Sequence, residues 1–270
     1  MIKDCLTFTV SGHKILLETY ISEDKSTLRD AVLIFPGGGY ENVCHAHEGA
    51  PIANAYYERG LNAFVLHYAV GEEYIYPSHL IDASYAMRYI KEHADDYGID
   101  KNRIFTVGFS AGGHLSGSMA ILHKDQTVLS ALGIEEGDNK PCGSILAYPV
   151  VSALVPTHIS SFEYLSGRHF DEMPDDVKAA LSLECNVDED SAPVFIWHTS
   201  RDTLVPMIGS LRLAEAYYNI ERPVALRIYP YGDHGISLAN EITDCGNPDL
   251  NQPLAAEWVD ASVAWMKTIK

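Results

Sequence analysis

Ser110 stands in Gly108-Phe109-Ser110-Ala111-Gly112, directly after the apolar run Ile104 to Val107 and directly before small residues that can begin a helix. That order exposes a serine on a sharp strand-to-helix turn, and glycines at 108 and 112 let the two backbones close around it. A serine hydroxyl is a poor nucleophile at neutral pH, so attack on a carbonyl needs a histidine to take its proton and a carboxylate to fix that histidine's tautomer. Of the 12 histidines, His234 is the candidate base, because Tyr229-Pro230-Tyr231-Gly232-Asp233-His234-Gly235 sets it in a glycine-flanked loop past a strand-like run. Asp202 occupies the loop after the preceding strand-like run, in Thr199-Ser200-Arg201-Asp202-Thr203. Asp233 is the rival acid. Consecutive loop side chains usually diverge, and the orienting carboxylate should reach the imidazole from a separate element, so Asp202 is preferred.

Acyl transfer through such a serine builds up an oxyanion, which calls for preorganised backbone donors. Gly37-Gly38-Gly39 follows the apolar run Ala31 to Phe35 and can bring bare N–H groups against a substrate. The candidate donors are the amides of Gly38 or Gly39 and of Ala111, the residue after the nucleophile. Tyr40, Tyr68 and Tyr148, with Tyr74, Tyr76, Tyr164 and Tyr231, fall in loops or at strand ends, where aromatic faces can stack on sugar rings. The first three are the candidate substrate-binding residues; core packing is the ordinary alternative. His45-Ala46-His47-Glu48 has the residue types of a metal site without His-Glu-x-x-His spacing, and pocket-lining or surface roles are favoured over zinc. His114, inside the helix after the elbow, is read as a packing or hydrogen-bonding residue.

These groups need a scaffold. Leu6 to Val10 and Lys14 to Tyr20 read as an antiparallel hairpin decorating an edge. Apolar runs at 31–35, 62–68, 104–107, 143–148, 193–198 and 224–229 read as strands, mostly covered on both faces. Helical spacing marks 49–59, 79–97, 111–123 and 253–269, with Gly60 and Gly98 as stops. The alternation predicts an open, mostly parallel sheet of about eight strands with helices on both faces, in a single domain over 1–270. The segment from about 150 to 191 breaks the alternation and is expected to be a small helical cap over the carboxyl ends of the strands, acting as lid, substrate wall or plain crossover.

The composition narrows the partners. The 37 acidic residues outnumber the 19 Lys plus Arg, for a formal net charge of -18, and such a surface repels nucleic acid and anionic membranes. The first residues lack an apolar leader and no run approaches the ~20 apolar residues that span a bilayer, so a cytoplasmic location is expected. Five widely spaced cysteines without a C-x-x-C pair fit reduced thiols. A homodimer is compatible with all of this.

Pro36-Gly37-Gly38-Gly39-Tyr40 with Glu48-Gly49-Ala50-Pro51, then Gly108 to Leu115, then Asp202 and His234, resembles the α/β-hydrolase superfamily over nearly the whole chain. Within it the chain looks closest to bacterial esterase/lipase-like enzymes related to acetyl esterases and xylan-processing esterases. It departs from the hormone-sensitive-lipase branch in carrying Phe35-Pro36 where that branch has His before its glycines, which argues against a lipase-like acyl pocket. The resemblance implies a serine carboxylesterase for small acyl groups, acetyl above all, on a sugar or oligosaccharide, with no metal or organic cofactor. A small-peptide serine peptidase of the same fold and a noncatalytic ligand-binding relative are the alternatives.

Overall fold

A computed structural model describes residues 1–269; Lys270, the last residue of the expected domain, lies outside the described residues. The strands are β1 (Ile2–Val10), β2 (His13–Ile21), β3 (Arg29–Phe35), β4 (Asn62–His67), β5 (Ile99–Phe109), β6 (Ser144–Ala147), β7 (Val194–Thr199) and β8 (Val224–Tyr229). The helices are α1 (His45–Glu48), α2 (Ala50–Glu58), α3 (Ser78–Glu92), α4 (Ala94–Tyr97), α5 (Ala111–Ile121), α6 (Gln126–Leu132), α7 (Ile159–Ser166), α8 (Asp175–Leu181), α9 (Ile208–Asn219) and α10 (Trp258–Met266). All eight strands form one sheet in the order β1-β2-β4-β3-β5-β6-β7-β8. The β1–β2 hairpin joins β4 antiparallel, and every other pairing is parallel. The expected architecture of a mostly parallel eight-stranded sheet is therefore present.

The continuous apolar runs are strands with two cores to serve. On β3, Leu33 and Phe35 pack with Leu80, Met87, Leu115 and Met119 of α3 and α5, while Val32 and Ile34 pack with Ile52 and Tyr56 of α2 and Trp258 of α10. A third cluster, built from Leu146, Val194 and Ile196, takes Leu213 and Tyr217 of α9. Helices on both faces follow from this alternation, and a strand so covered is mostly apolar.

Several element bounds differ from those expected. The helix foreseen over 79–97 is two, split at His93, whose ring stacks on Tyr89 at 4.1 Å and whose Nδ1 donates to the Tyr89 carbonyl at 2.9 Å, so that α3 closes one residue before α4 begins. The C-terminal helix starts at Trp258 rather than Pro253, behind a short 3-10 turn, where the Trp258 Nε1–H donates to the Ser237 carbonyl at 2.8 Å. Helices α6 and α9 had no counterpart in the sequence reading. The 150–191 segment carries α7, α8 and two short 3-10 turns. It buries Phe162, Leu165, Met173, Leu181 and Leu183, so it is bound to the body of the sheet by apolar contacts. Among the described residues no helix is long and apolar enough to cross a membrane, and all five cysteines are free.

The turn from β5 into α5 leaves no room for side chains at its glycines. A Cβ on Gly108 would lie 1.9 Å from the Gly112 carbonyl oxygen, and one on Gly112 would lie 2.1 Å from the Phe35 carbonyl oxygen. Both obstacles are backbone, with no rotamer to yield. Gly112→Ala is accordingly expected to cost about 3 kcal/mol or more, whereas Gly133→Ala, with open space around it but a positive φ of 60°, should cost only about 1 kcal/mol. Urea midpoints of the two variants check this; equal midpoints would show that the elbow tolerates a methyl group.

Candidate active site

Ser110 sits between β5 and α5 with φ 53° and ψ −117°. A non-glycine residue in that region is strained and persists only where its surroundings enforce it. Here the Ser110 N–H donates to the Ala147 carbonyl at 3.0 Å, and its own carbonyl accepts from Val150 N–H at 3.0 Å and from His114 N–H at 3.1 Å. The side chain is held out from this frame. Its Oγ is 2.8 Å from His234 Nε2, and His234 Nδ1 is 2.7 Å from Asp202 Oδ2. A carboxylate only accepts, so Nδ1 carries the imidazole proton and Nε2 is left to accept from the serine hydroxyl.

Asp202 comes from the loop after β7, as expected, and is 7% exposed. Burial alone would raise its pKa, but hydrogen bonds from His198 and His234 and the Val205 amide outweigh it and hold the carboxyl well below the usual carboxylate range. Its Oδ1 accepts from Leu204 N–H at 3.1 Å and Val205 N–H at 2.8 Å. His198, a fully buried β7 residue, brings its Nε2 to 2.8 Å from the Val205 carbonyl and 3.2 Å from Asp202 Oδ2. Asp233 takes a different place: exposed, it accepts from its neighbour's amide and from Thr203 O–H.

Gly38 and Gly39 have φ of 124° and 68°, and a Cβ on Gly38 would fall 2.1 Å from the Asn42 carbonyl oxygen. The carbonyls of Gly37 and Gly38 are used within the loop: Gly38 accepts from Glu41 and Asn42, and Gly37 accepts from Cys44. The amides of Gly38, Gly39 and Ala111 donate to no backbone acceptor among the described residues. A Cβ on Gly37 would meet Ser110 Cβ at 3.0 Å, which puts the loop directly beside the Ser110 side chain.

Glu48, which the sequence offers only within His45-Ala46-His47-Glu48 and Glu48-Gly49-Ala50-Pro51, lies at the centre of this arrangement. It is 2% exposed, its Oε2 accepts the Gly37 N–H at 2.7 Å and its Oε1 accepts the Tyr148 O–H at 2.7 Å. The Tyr148 oxygen in turn accepts the Ser237 N–H at 3.1 Å, and the Tyr148 ring meets His234 edge-on, 5.0 Å between centroids. One buried carboxylate thus ties the glycine loop to the tyrosine that backs the histidine. The only sequence sign of it is an acidic residue just before Gly49-Ala50-Pro51, a start of α2 that places no solvated face there.

The three tyrosines proposed to bind substrate need correction. Tyr40, Tyr68 and Tyr148 are 1, 2 and 1% exposed, and their hydroxyls go to His114 Nδ1, the Pro36 carbonyl and Glu48. They frame the loop and offer no free face to a sugar ring. His114 is buried, its pKa pushed down to about 4 by desolvation, and it links Tyr40 to the Leu181 carbonyl of the 150–191 segment at 2.8 Å. From that same segment, His158 reaches the site: a Cβ on Gly39 would lie 3.5 Å from His158 Cε1 and 3.8 Å from Ser161 Oγ. Burial lowers the His158 pKa, and the nearby His234 adds to the shift.

Comparison with known proteins places this arrangement. Endo-1,4-beta-xylanase B of Butyrivibrio fibrisolvens is 37% identical over 228 residues, covering 83% of this chain and 35% of that protein. An acetylxylan esterase of Xylanibacter ruminicola is 29% identical over 210 residues, 76% of this chain and 40% of its own length. The chain therefore spans well under half the length of these two relatives. Among solved structures, an acetyl ester-xyloside bifunctional hydrolase from Caldicellulosiruptor lactoaceticus superposes with a TM-score of 0.77 at 32% identity, over 93% of this chain and 89% of that one. The family model BD-FAE matches residues 17–217, which run from β2 through the elbow and the Asp202 loop into α9. On that match the chain belongs to the BD-FAE family, within the α/β-hydrolase fold.

Proposed function

We propose that this chain is a serine carboxylesterase that removes short acyl groups, acetyl above all, from a sugar or oligosaccharide through an acyl-enzyme. The observation that carries the reading is the unbroken relay Ser110 Oγ to His234 to Asp202, at 2.8 and 2.7 Å, beside three unpaired amides. In the acylation half, Ser110 attacks the ester carbonyl while His234 Nε2 takes its proton, and Asp202 stabilises the imidazolium. The amides of Gly38 or Gly39 and of Ala111 receive the oxyanion, each donor being worth about 3 kcal/mol of barrier. His234 then protonates the departing alcohol, and a water activated by the same histidine releases the acid.

Two of the proteins compared support this substrate class: one is described as an acetylxylan esterase and the other as an acetyl ester-xyloside bifunctional hydrolase. His158, facing Gly39 from the segment at 150–191 with its Nδ1 held 2.8 Å from the buried Ser161 Oγ, is the polar group placed to meet the substrate, and in this reading that segment is the cap of a single domain. Glu48 keeps the glycine loop in position without touching the reacting atoms.

Ser110→Ala is expected to lower kcat on p-nitrophenyl acetate by about 10⁶-fold while leaving the far-UV spectrum unchanged; a variant as active as the parent would sink the assignment. Acetylated xylo-oligosaccharides should be hydrolysed in preference to aminoacyl amides, and the reverse preference would favour the peptidase reading. Asp202→Asn should cost about 10⁴-fold in kcat. Because the native Asp202 pKa is depressed, its ionised form adds stability above the ordinary carboxylate range that is lost as pH falls. The gap in urea midpoint between parent and Asp202→Asn should therefore narrow below about pH 4. For Glu48→Ala the expected loss is about 10²-fold in kcat with KM little changed, as for a lost oxyanion donor; an unchanged kcat would remove Glu48 from the account.

A further inference from the structure

His45 and His47 are two residues apart on α1, but the structure sends them to different partners. His45 Nε2 lies 2.8 Å from Glu18 Oε1, and His67 Nε2 lies 2.9 Å from the same oxygen. Glu18 is on β2 and His67 ends β4; Leu16 pairs with His67, so Glu18 is its diagonal neighbour on one face of the sheet, within reach of a long side chain. The two imidazole rings are 4.5 Å apart and inclined by 34°. Two ring nitrogens and one carboxylate oxygen from three separate elements therefore converge within 4.8 Å of one another.

An ordinary ion-pair cluster does not account for all of this. The His67 contact is a hydrogen bond, but the His45 contact lacks hydrogen-bond geometry, and His45 Nε2 is buried with no hydrogen-bond partner. The other Glu18 oxygen is fixed by the Tyr20 O–H at 2.8 Å, the outer support that a ligating carboxylate usually has. The space for the His45 ring is also provided: a Cβ on Gly49 would fall 2.6 Å from His45 Cδ2 and 3.1 Å from Nε2. A nearby set, Cys44, His47 and Glu48, lacks this freedom, since both Glu48 oxygens are occupied by Gly37 N–H and Tyr148 O–H.

We propose that Glu18, His45 and His67 bind one first-row divalent cation of the zinc type, with water completing a tetrahedron. Two imidazole nitrogens and a carboxylate oxygen suit Zn²⁺, whose ligand bonds of about 2.0–2.2 Å need only a small outward shift of the present contacts. The ion takes no part in acyl transfer. It fastens α1 to β2 and β4, and α1 is the turn that carries Glu48 to the glycine loop, so its effect on the site is positional.

The test is calorimetric titration of the metal-stripped full chain with Zn²⁺, alongside the visible absorption of the Co²⁺ form. Expected are one equivalent bound with a Kd of about 10 μM or tighter, a tetrahedral Co²⁺ spectrum, and binding at least ~10-fold weaker in His67→Ala and in Glu18→Gln. His47→Ala and His169→Ala should bind as the parent does. Weaker binding by the parent overturns the proposal whatever the variants do. So does an octahedral Co²⁺ spectrum, binding that survives His67→Ala, or binding lost in His47→Ala, which would mark adventitious surface histidines or the neighbouring set.

Discussion

The close backbone approach at Gly108 and Gly112 is the constraint on which the rest depends. Because neither residue has a Cβ, the start of α5 can lie against the end of β3, with the Phe35 and Pro36 carbonyls in the space a side chain at 112 would fill. That contact does two things at once. It forces Ser110 into its strained conformation at the tip of the turn, and it sets the following loop, Gly37 to Gly39, next to the serine's own Cβ. Ser110 and the amides facing it are thus positioned by one steric condition rather than by two independent ones.

A second, electrostatic condition sits beneath the first. Glu48 is a carboxylate with almost no exposure, and burying one is costly unless its oxygens are well bonded. Its two bonds go to the loop on one side and to Tyr148 on the other, and Tyr148 supports both His234 and the Ser237 amide. A group so placed couples the loop to the Tyr148 that meets His234: moving either would leave a buried carboxylate oxygen without its donor. Asp202 follows the same logic with more donors, taking two backbone amides and two histidines, and it stays ionised for that reason.

Much of this arrangement was legible in the sequence, for identifiable reasons. The sheet could be read because strands covered on both faces leave long apolar runs, and the turn glycines because they are required sterically. Ser110, Asp202 and His234 could be picked out since each closes or follows a strand at the same end of a parallel sheet, and the structure does bring the three side chains into one hydrogen-bonded line. What escaped has equally physical causes. Helix α6 has only seven residues, too few for a periodic signal, and α9 turns Gly209 and Ser210 inward where apolar residues would mark the buried face. Tyr40, Tyr68 and Tyr148 mislead because a tyrosine at a strand end looks the same whether its hydroxyl meets water or a buried acceptor. Glu48 and the Glu18, His45 and His67 cluster depend on contacts between distant segments, which local spacing does not encode.

The central claim is that Ser110 is an activated nucleophile facing a preformed oxyanion site. Intact-protein and peptide mass spectrometry after exposure to a small organophosphonate tests it most directly. One covalent adduct per chain is expected, on Ser110, and none in Ser110→Ala. A folded parent that remains unlabelled, or carries the adduct on another residue, would contradict it.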